Sequence, residues 1–438
     1  MCDHSNESNR HPWSCGTAAH MSRRTLLKAA GFSGLAWLTP AAELLADQDP
    51  RSRNGRPAQS VIILWLGGGP SQLETFDPHA GRKIAGGTTA IKTASRQIEL
   101  AAGLPRLAEQ MQDVSIIRNV VTREGDHERA AYNVKTGYRP DPTLRHPSLG
   151  ATACHMLQPG KTEIPRHISI LPDNWYGRGG YLGQQYDAFR TSTTNGRLRD
   201  MKAQVDEERA SSRLKDIDIV EQSFRRGRLK NLDSTRTLHS DTISRAVTMM
   251  SSEQLSAFDV SNEPKELIEK FGNSDFGRAC LAAVKLIETG VRCVEVTLDG
   301  WDTHLNNHEI IGRLNNSLDP AFAALIGELK ARDRLKDTVV MCGGEFGRTP
   351  SINPAGGRDH WPHGFSIALA GGGIAGGQVI GMTDPDGGQV KQDQGTPIAD
   401  VHATVLKSLG ITPDLEVDTS IGRPMKLSEG TPIAKLMA

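Results

Sequence analysis

Charge of one sign is what this 438-residue chain lacks: 51 basic residues stand against 51 acidic ones. No global basic excess points to nucleic acid, and no acidic tail suggests a solvating arm, so no nucleic-acid partner is expected. Cysteine is also scarce. The six residues include no CxxC spacing, and Cys2 and Cys15 precede the targeting segment described below. Of Cys154, Cys280, Cys293 and Cys342, the second lies in a helical pattern and the last two in strand patterns. They read as buried thiols, with one disulfide left open in an oxidising compartment. The apolar run Ala29 to Leu38 is too short to span a bilayer, so no stable membrane span is expected. No internal repeat stands out. No Gly-rich loop carries the Lys-Ser/Thr of a P-loop at the required spacing.

The N-terminus is present as an address. Ser22-Arg23-Arg24-Thr25-Leu26-Leu27-Lys28 places two arginines ahead of that apolar run, which is the twin-arginine export pattern. Ala41, Ala42 and Ala46 supply small residues near a cleavage point. The expected organisation is an N-terminal extension at 1–20, the twin-arginine signal at 21–46, a polar linker at 47–59 and one α/β domain at 60–438. Localisation is then periplasmic or extracellular. A chain of this length can bury a large core, and one large domain or two are both compatible with it.

Strand and helix patterns alternate along the rest. Ser60–Leu66 is a continuous apolar run closed by three glycines, as expected of a parallel strand buried on both faces. Further strands are expected at Val114–Val121, His167–Leu171, Val291–Leu298, Thr338–Cys342 and Phe365–Ala370. Helices are expected at about Asp126–Thr136, from Ser274-Asp275 to Gly290, at Leu318–Ala331 and at Ile398–Leu409. The stretch 191–269 is charged and poor in strands, and reads as a helical excursion. The alternation predicts an α/β fold, a mostly parallel central sheet sandwiched between helices, with ligands bound outside the carboxyl ends of its strands.

Chemistry-bearing residues concentrate at those strand ends. Asp302, His304 and His308 follow one strand. If a helix continues from Glu309, the two histidines share a face and suit a metal; otherwise Asp302 caps the helix and the histidines lie on the surface. Glu345 follows the next strand, where a carboxylate needs water or a counter-charge. Arg348 either pairs with it or binds a substrate oxyanion bidentately. Asp359, His360 and His363 lie in a loop bounded by glycine and proline. Gly67-Gly68-Gly69 allows close backbone approach to an anion, while Glu74 and Asp77 either donate metal oxygens or cap turns. His127 stands at a predicted helix N-terminus, whose dipole favours a neutral imidazole, with Asp126 as its alternative role-bearer, the cap.

In order, Gly-Gly-Pro-Ser…Thr-Phe-Asp-Pro (68–78), Gly-Trp-Asp-Thr-His (300–304), Gly-Glu-Phe-Gly-Arg-Thr-Pro (344–350) and Gly-Arg-Asp-His-Trp-Pro (357–362) resemble the domain of unknown function 1501 family, a sulfatase-like branch of the alkaline phosphatase superfamily. The resemblance runs from about Ser60 to the C-terminus. It implies an alkaline-phosphatase-like sheet and metal-dependent hydrolysis of phosphate or sulfate esters, with an anionic small-molecule or polysaccharide ester as substrate. It also implies a divalent metal ion (zinc, calcium, manganese or magnesium). Three positions depart from sulfatases. The first strand ends in glycines where those enzymes carry paired aspartates. The position nine residues before Thr136 is His127 in place of Cys, Ser or Thr. Glu345-Phe346 stands where they carry Asp-His. The expected ligands are Asp302, His304, Glu345, Asp359 and His360, then His308 and His363. Arg348 would hold substrate oxygens, and His127 would act as ligand, acid/base or nucleophile. The competing expectation is a non-catalytic binding protein that kept the fold. Asp400 and His402, in the final helix, are expected to be structural.

Overall fold

Eight consecutive buried residues, Ser60–Gly67, form strand β1. A strand with no exposed position has to be covered on both faces, and alternate side chains show how. Ile62, Leu64 and Leu66 enter one apolar cluster, while Val61, Ile63 and Trp65 enter the other. The computed structural model describes residues 56–194, 198, 201, 203–226, 238–390, 394–419 and 421–437. The N-terminal extension, the twin-arginine segment, Cys2, Cys15 and the linker up to residue 55 lie outside the described residues.

The sheet contains β1, β2 (Val114–Val121), β3 (His167–Ile170), β4 (Phe189–Thr191), β5 (Cys293–Asp299), β6 (Thr338–Gly343), β7 (Phe365–Gly371), β8 (Val379–Ile380) and β9 (Thr396–Pro397). Their spatial order is β8-β2-β7-β6-β1-β5-β3-β4, with β9 also paired to β2. β1 pairs in parallel with β5 and β6, and β3 pairs in parallel with β5 and β4. Only β7 runs antiparallel to its neighbours β6 and β2. The sheet is therefore mixed and mostly parallel, as expected.

Helices cover both faces. They are α1 (His127–Thr136), α2 (Leu149–Met156), α3 (Glu207–Arg226), α4 (Leu238–Met250), α5 (Asp275–Glu288), α6 (Asn307–Ala331) and α7 (Ile398–Ser408). On one face, α5 buries Ala279, Ala283 and Leu286, and α6 buries Leu318, Phe322 and Leu325. On the other, α1, α2 and α7 contribute Val134, Leu149, Val401 and Val405. Each large aliphatic side chain so buried stabilises the fold by roughly 1.5–3 kcal/mol. Ser274 caps α5 by accepting the Gly277 amide, and Gly290 at φ 97° follows its end. α3 and α4 are the helices of the charged excursion.

α6 begins well before the expected Leu318. The stretch 307–317 is rich in polar residues, and the helix that could continue from Glu309 is present there: Ile311 is buried and Leu314 packs against the core. Pro320 sits inside α6 without ending it. Cys154, Cys280, Cys293 and Cys342 are buried free thiols, and burial raises the pKa of each. No helix among the described residues is long and apolar enough to cross a membrane.

Candidate metal centre

The parallel register brings the carboxyl ends of β1, β5 and β6 together: Gly67 lies opposite Asp299, and Trp65 opposite Gly343. The loops that leave those ends meet where glycine is required. Gly68 has φ 107°, and a Cβ there would stand 2.5 Å from the Asp302 amide nitrogen. Gly69 has φ 81°, and its Cβ would stand 2.5 Å from the Phe346 ring. The glycines thus admit neighbouring protein loops. The anion that the Gly68 N–H meets is internal: it donates to Glu345 Oε1 at 3.0 Å.

Asp302 lies at the middle of the cluster. Its Oδ1 is 3.1 Å from His304 Nε2 and 3.3 Å from His360 Nε2, and its Oδ2 is 3.4 Å from His127 Nε2. The Nε2 atoms of His304 and His360 are themselves 3.0 Å apart. Each imidazole is held from behind through Nδ1: His127 by Glu345 Oε1 at 2.8 Å, His304 by Asp359 Oδ1 at 2.8 Å, and His360 by the Gly125 carbonyl at 2.8 Å. In the neutral tautomer those Nδ1 atoms must donate, because their partners only accept. All three Nε2 lone pairs then point inward at a carboxylate, and an inward set of acceptors calls for a cation.

The spacing fits one. Nitrogen and oxygen ligands at about 2.0–2.1 Å on a tetrahedral ion stand roughly 3.3 Å from each other; ligand atoms of His127, Asp302 and His360 lie within 4.8 Å of one another, and His304 adjoins this group through Asp302 and His360. Imidazoles backed by carboxylate or carbonyl at the other nitrogen are the usual outer-shell pattern of metal-binding histidines. Glu345 adds an orphan: it is fully buried, and its Oε2 has no partner. A donor set of two imidazoles and one carboxylate, with a third imidazole beside it, suits zinc or a similar transition metal better than calcium or magnesium, which prefer oxygen.

Charge acts differently on the members of the cluster. The hydrogen bond to Glu345 pushes the His127 pKa up against the effect of burial, with the Glu345 and Asp302 charges adding to it. Burial pushes His360 down, helped by Arg348 and His127. For Asp302, burial acts upward but the Arg348 hydrogen bond and charge outweigh it, so its carboxyl stays below the usual range.

α1 presents His127 at its first turn. Asp126 precedes it as N-cap, accepting the Arg129 amide at 3.1 Å, so cap and site residue coexist. The ring stacks parallel to Trp175 (centroids 6.0 Å apart, 11° between planes), and Phe346 packs against both His127 and His360. Trp175, in the loop after β3, had no place among the expected site residues. The strand before it was legible, and the carboxyl-end rule extended to that loop would have pointed to it.

Several expected placements are corrected. His304 precedes α6 and His308 lies in its first turn, so they share no helix face. His308 Nε2 points to Glu74 Oε1 at 3.5 Å, away from the cluster. His363 is exposed and packs its ring edge-on to Trp361. Arg348 is not free for substrate. Its buried guanidinium donates to the carbonyls of Gly68, Gly69 and Arg358 and to Asp302 Oδ1 at 2.6 Å. Glu74 and Asp77 face other partners, Glu74 binding Arg358 at 2.8 Å and Asp77 binding Thr383 at 2.5 Å. Glu345 and Asp359 stand behind His127 and His304. His402 is buried, with Nε2 bonded to the Val134 carbonyl, and Asp400 accepts the Thr431 amide.

A family model described as protein of unknown function (DUF1501) matches residues 58–437, and the chain belongs to that family. No curated protein matches the chain. Among solved structures it is similar to the PsFucS1 sulfatase from Pseudoalteromonas sp., with 11% identity over 89% of this chain and 72% of that one, at a TM-score of 0.38. The alkaline phosphatase from the Antarctic bacterium TAB5 shares 11% identity over 81% of this chain and 99% of its own, at 0.35. The phosphonate monoester hydrolase SpPMH from Silicibacter pomeroyi shares 11% over 87% and 76%, also at 0.35. With scores this low, the architecture is established by the chain's own strand order.

Proposed function

We propose that this member of the DUF1501 family is an exported, metal-dependent hydrolase of phosphate or sulfate esters, working at the centre formed by His127, Asp302, His304 and His360. One observation carries the reading: ligand atoms of His127, Asp302 and His360 lie within 4.8 Å of one another, with His304 beside Asp302 and His360, and each imidazole is fixed from behind. A bound divalent cation supplies Lewis acidity toward an anionic ester and lowers the pKa of water.

The chain's own groups do the rest. Arg348 holds the Asp302 carboxylate and the Gly68-Gly69 turn in one arrangement. Glu345, Asp359 and the Gly125 carbonyl select the tautomer that leaves each Nε2 lone pair facing the centre. Asp302 and His304 remain 46% and 43% exposed, which leaves the centre open to a solvent-borne ester. Thr303, next to Asp302, is buried and gives its hydroxyl to Asn307 Oδ1 at 2.6 Å, so in this proposal the attacking group is water.

A second reading has one specific observation behind it. With Arg348 fully engaged by protein, no arginine of the centre is left to hold a substrate oxyanion, as suits a metal-binding protein without turnover. The two readings part in one assay. The full chain is loaded in turn with zinc, manganese, magnesium or calcium and offered aryl phosphate and aryl sulfate esters. Turnover with zinc or manganese that Asp302→Ala abolishes supports the hydrolase; bound metal without turnover in every case supports the binding protein. Export by the twin-arginine route is part of the proposal. Arg23→Lys with Arg24→Lys should retain the protein inside the cell on fractionation, and unchanged export would contradict it.

A further inference from the structure

The loop between β3 and β4, with β4 itself, carries groups that the metal centre does not use. Two guanidinium groups pack against the Tyr176 ring: that of Arg178 is 4.4 Å from the ring centroid and that of Arg190 is 4.5 Å. Both arginines are exposed. Among the described residues, neither guanidinium has a carboxylate partner. Two like charges within 9 Å of each other on one ring repel. An anion placed against them removes that repulsion and accepts two forks of donors. The ring also holds both side chains near their bound positions, which reduces the entropy an anion would have to overcome.

The position of this pair relates it to the centre. Tyr176 is the immediate neighbour of Trp175, whose indole stacks on His127. Asp173, two residues before Trp175, brings its Oδ2 to within 3.6 Å of the point where a Gly67 side chain would begin. The loop therefore runs along the same carboxyl edge of the sheet as the metal ligands. Trp175, half-buried beside His127, offers an apolar face of the sort that sugar rings pack against.

We propose that Tyr176, Arg178 and Arg190 form an anion subsite for a second sulfate or phosphate group, so that the preferred substrate is a saccharide ester carrying more than one such group. The word substrate rests on the ester-hydrolase reading above; the binding does not.

The test is equilibrium binding of the full chain to a disulfated disaccharide, its monosulfated form and its neutral parent, with the bisphosphorylated analogue run beside them. The disulfated form should bind about tenfold or more tightly than the monosulfated one, and the advantage should shrink as salt rises. Arg178→Gln with Arg190→Gln should erase it while leaving monosulfate binding and the thermal midpoint unchanged, since both side chains are exposed. His360→Ala should keep the advantage, because the subsite needs no metal. Equal binding of mono- and disulfated forms, or an advantage that survives the double substitution, overturns the subsite. An arginine-dependent advantage in a protein that hydrolyses none of these esters overturns the proposed function and leaves the subsite standing. The phosphorylated analogue decides which oxyanion is favoured.

Discussion

Arg348 has its guanidinium spent on protein: three backbone carbonyls and Asp302 take its donors, and the side chain is fully buried. An arginine at a strand end beside a carboxylate satisfies two opposed readings in sequence, since a substrate clamp and a buried strut need the same neighbours. Burial separates them, and burial is a property of the fold. Arg348→Ala should cost about 3–5 kcal/mol, because it strands a carboxylate and buried carbonyls. Arg348→Lys should recover little of it, as one ammonium cannot reach several directions at once. Chemical unfolding of the two variants measures both. Glu345 and Asp359 were legible as members of the cluster, while their place behind the imidazoles was not. Glu345→Gln should keep the fold and weaken metal affinity about 10–100-fold, since His127 loses its charged orienting partner. Competition against a chromophoric chelator reads this out, and unchanged affinity would place Glu345 outside the metal's support.

Among the elements, the loops decide the site, and their geometry was only partly visible. The strands leading into them were evident from apolar runs, the first of them closed by glycines. The triple glycine was recognised as a place of close approach, but what approaches is Asp302 and Phe346, which lie far along the chain. A substitution shows how tight this is. Gly68→Ala combines a φ of 107° with a Cβ 2.5 Å from backbone. It should destabilise the protein by about 2 kcal/mol or more and reduce metal content with it. A variant with wild-type melting and metal content would show that these loops are not packed as described. The early start of α6 is what separates His304 from His308. Polar residues at 307–317 hid that turn, and with it the fact that the two histidines serve different parts of the molecule.

In the whole molecule, the doubly covered sheet follows from sequence almost directly, because a strand such as Val61–Leu66 has no polar face to offer water. What sequence conceals is how charge is carried into that interior. Glu295 in β5 is fully buried among Lys135, His167 and the Gly177 amide. Burial alone would raise its carboxyl, but Lys135 and His167 bring it down to about 2. Its contribution to stability is therefore present at neutral pH and is lost as pH falls from about 4.5 toward 2. His402 titrates earlier. Burial lowers its pKa from 6.5 to about 4, so the folded state resists a proton that the unfolded chain accepts. That stability is full above pH 6.5 and is lost as pH falls to 4, by about 3 kcal/mol for the 2.5-unit shift. His402→Gln removes the titration while keeping a donor toward the Val134 carbonyl. Urea unfolding at pH 7 and pH 4 should then show a smaller acid loss in the variant than in the wild type, and an equal loss would contradict the assignment.

The centre at the sheet's carboxyl edge unites these scales: residues aim the acceptors inward, loops bring them together, and the buried sheet holds the loops. Elemental analysis of the purified native chain, beside Asp302→Ala and His360→Ala, tests it most directly. The proposed centre predicts about one zinc-like divalent ion per chain in the native protein and its loss from both variants without loss of folding. A native protein free of metal, or variants that retain the full complement, would contradict it.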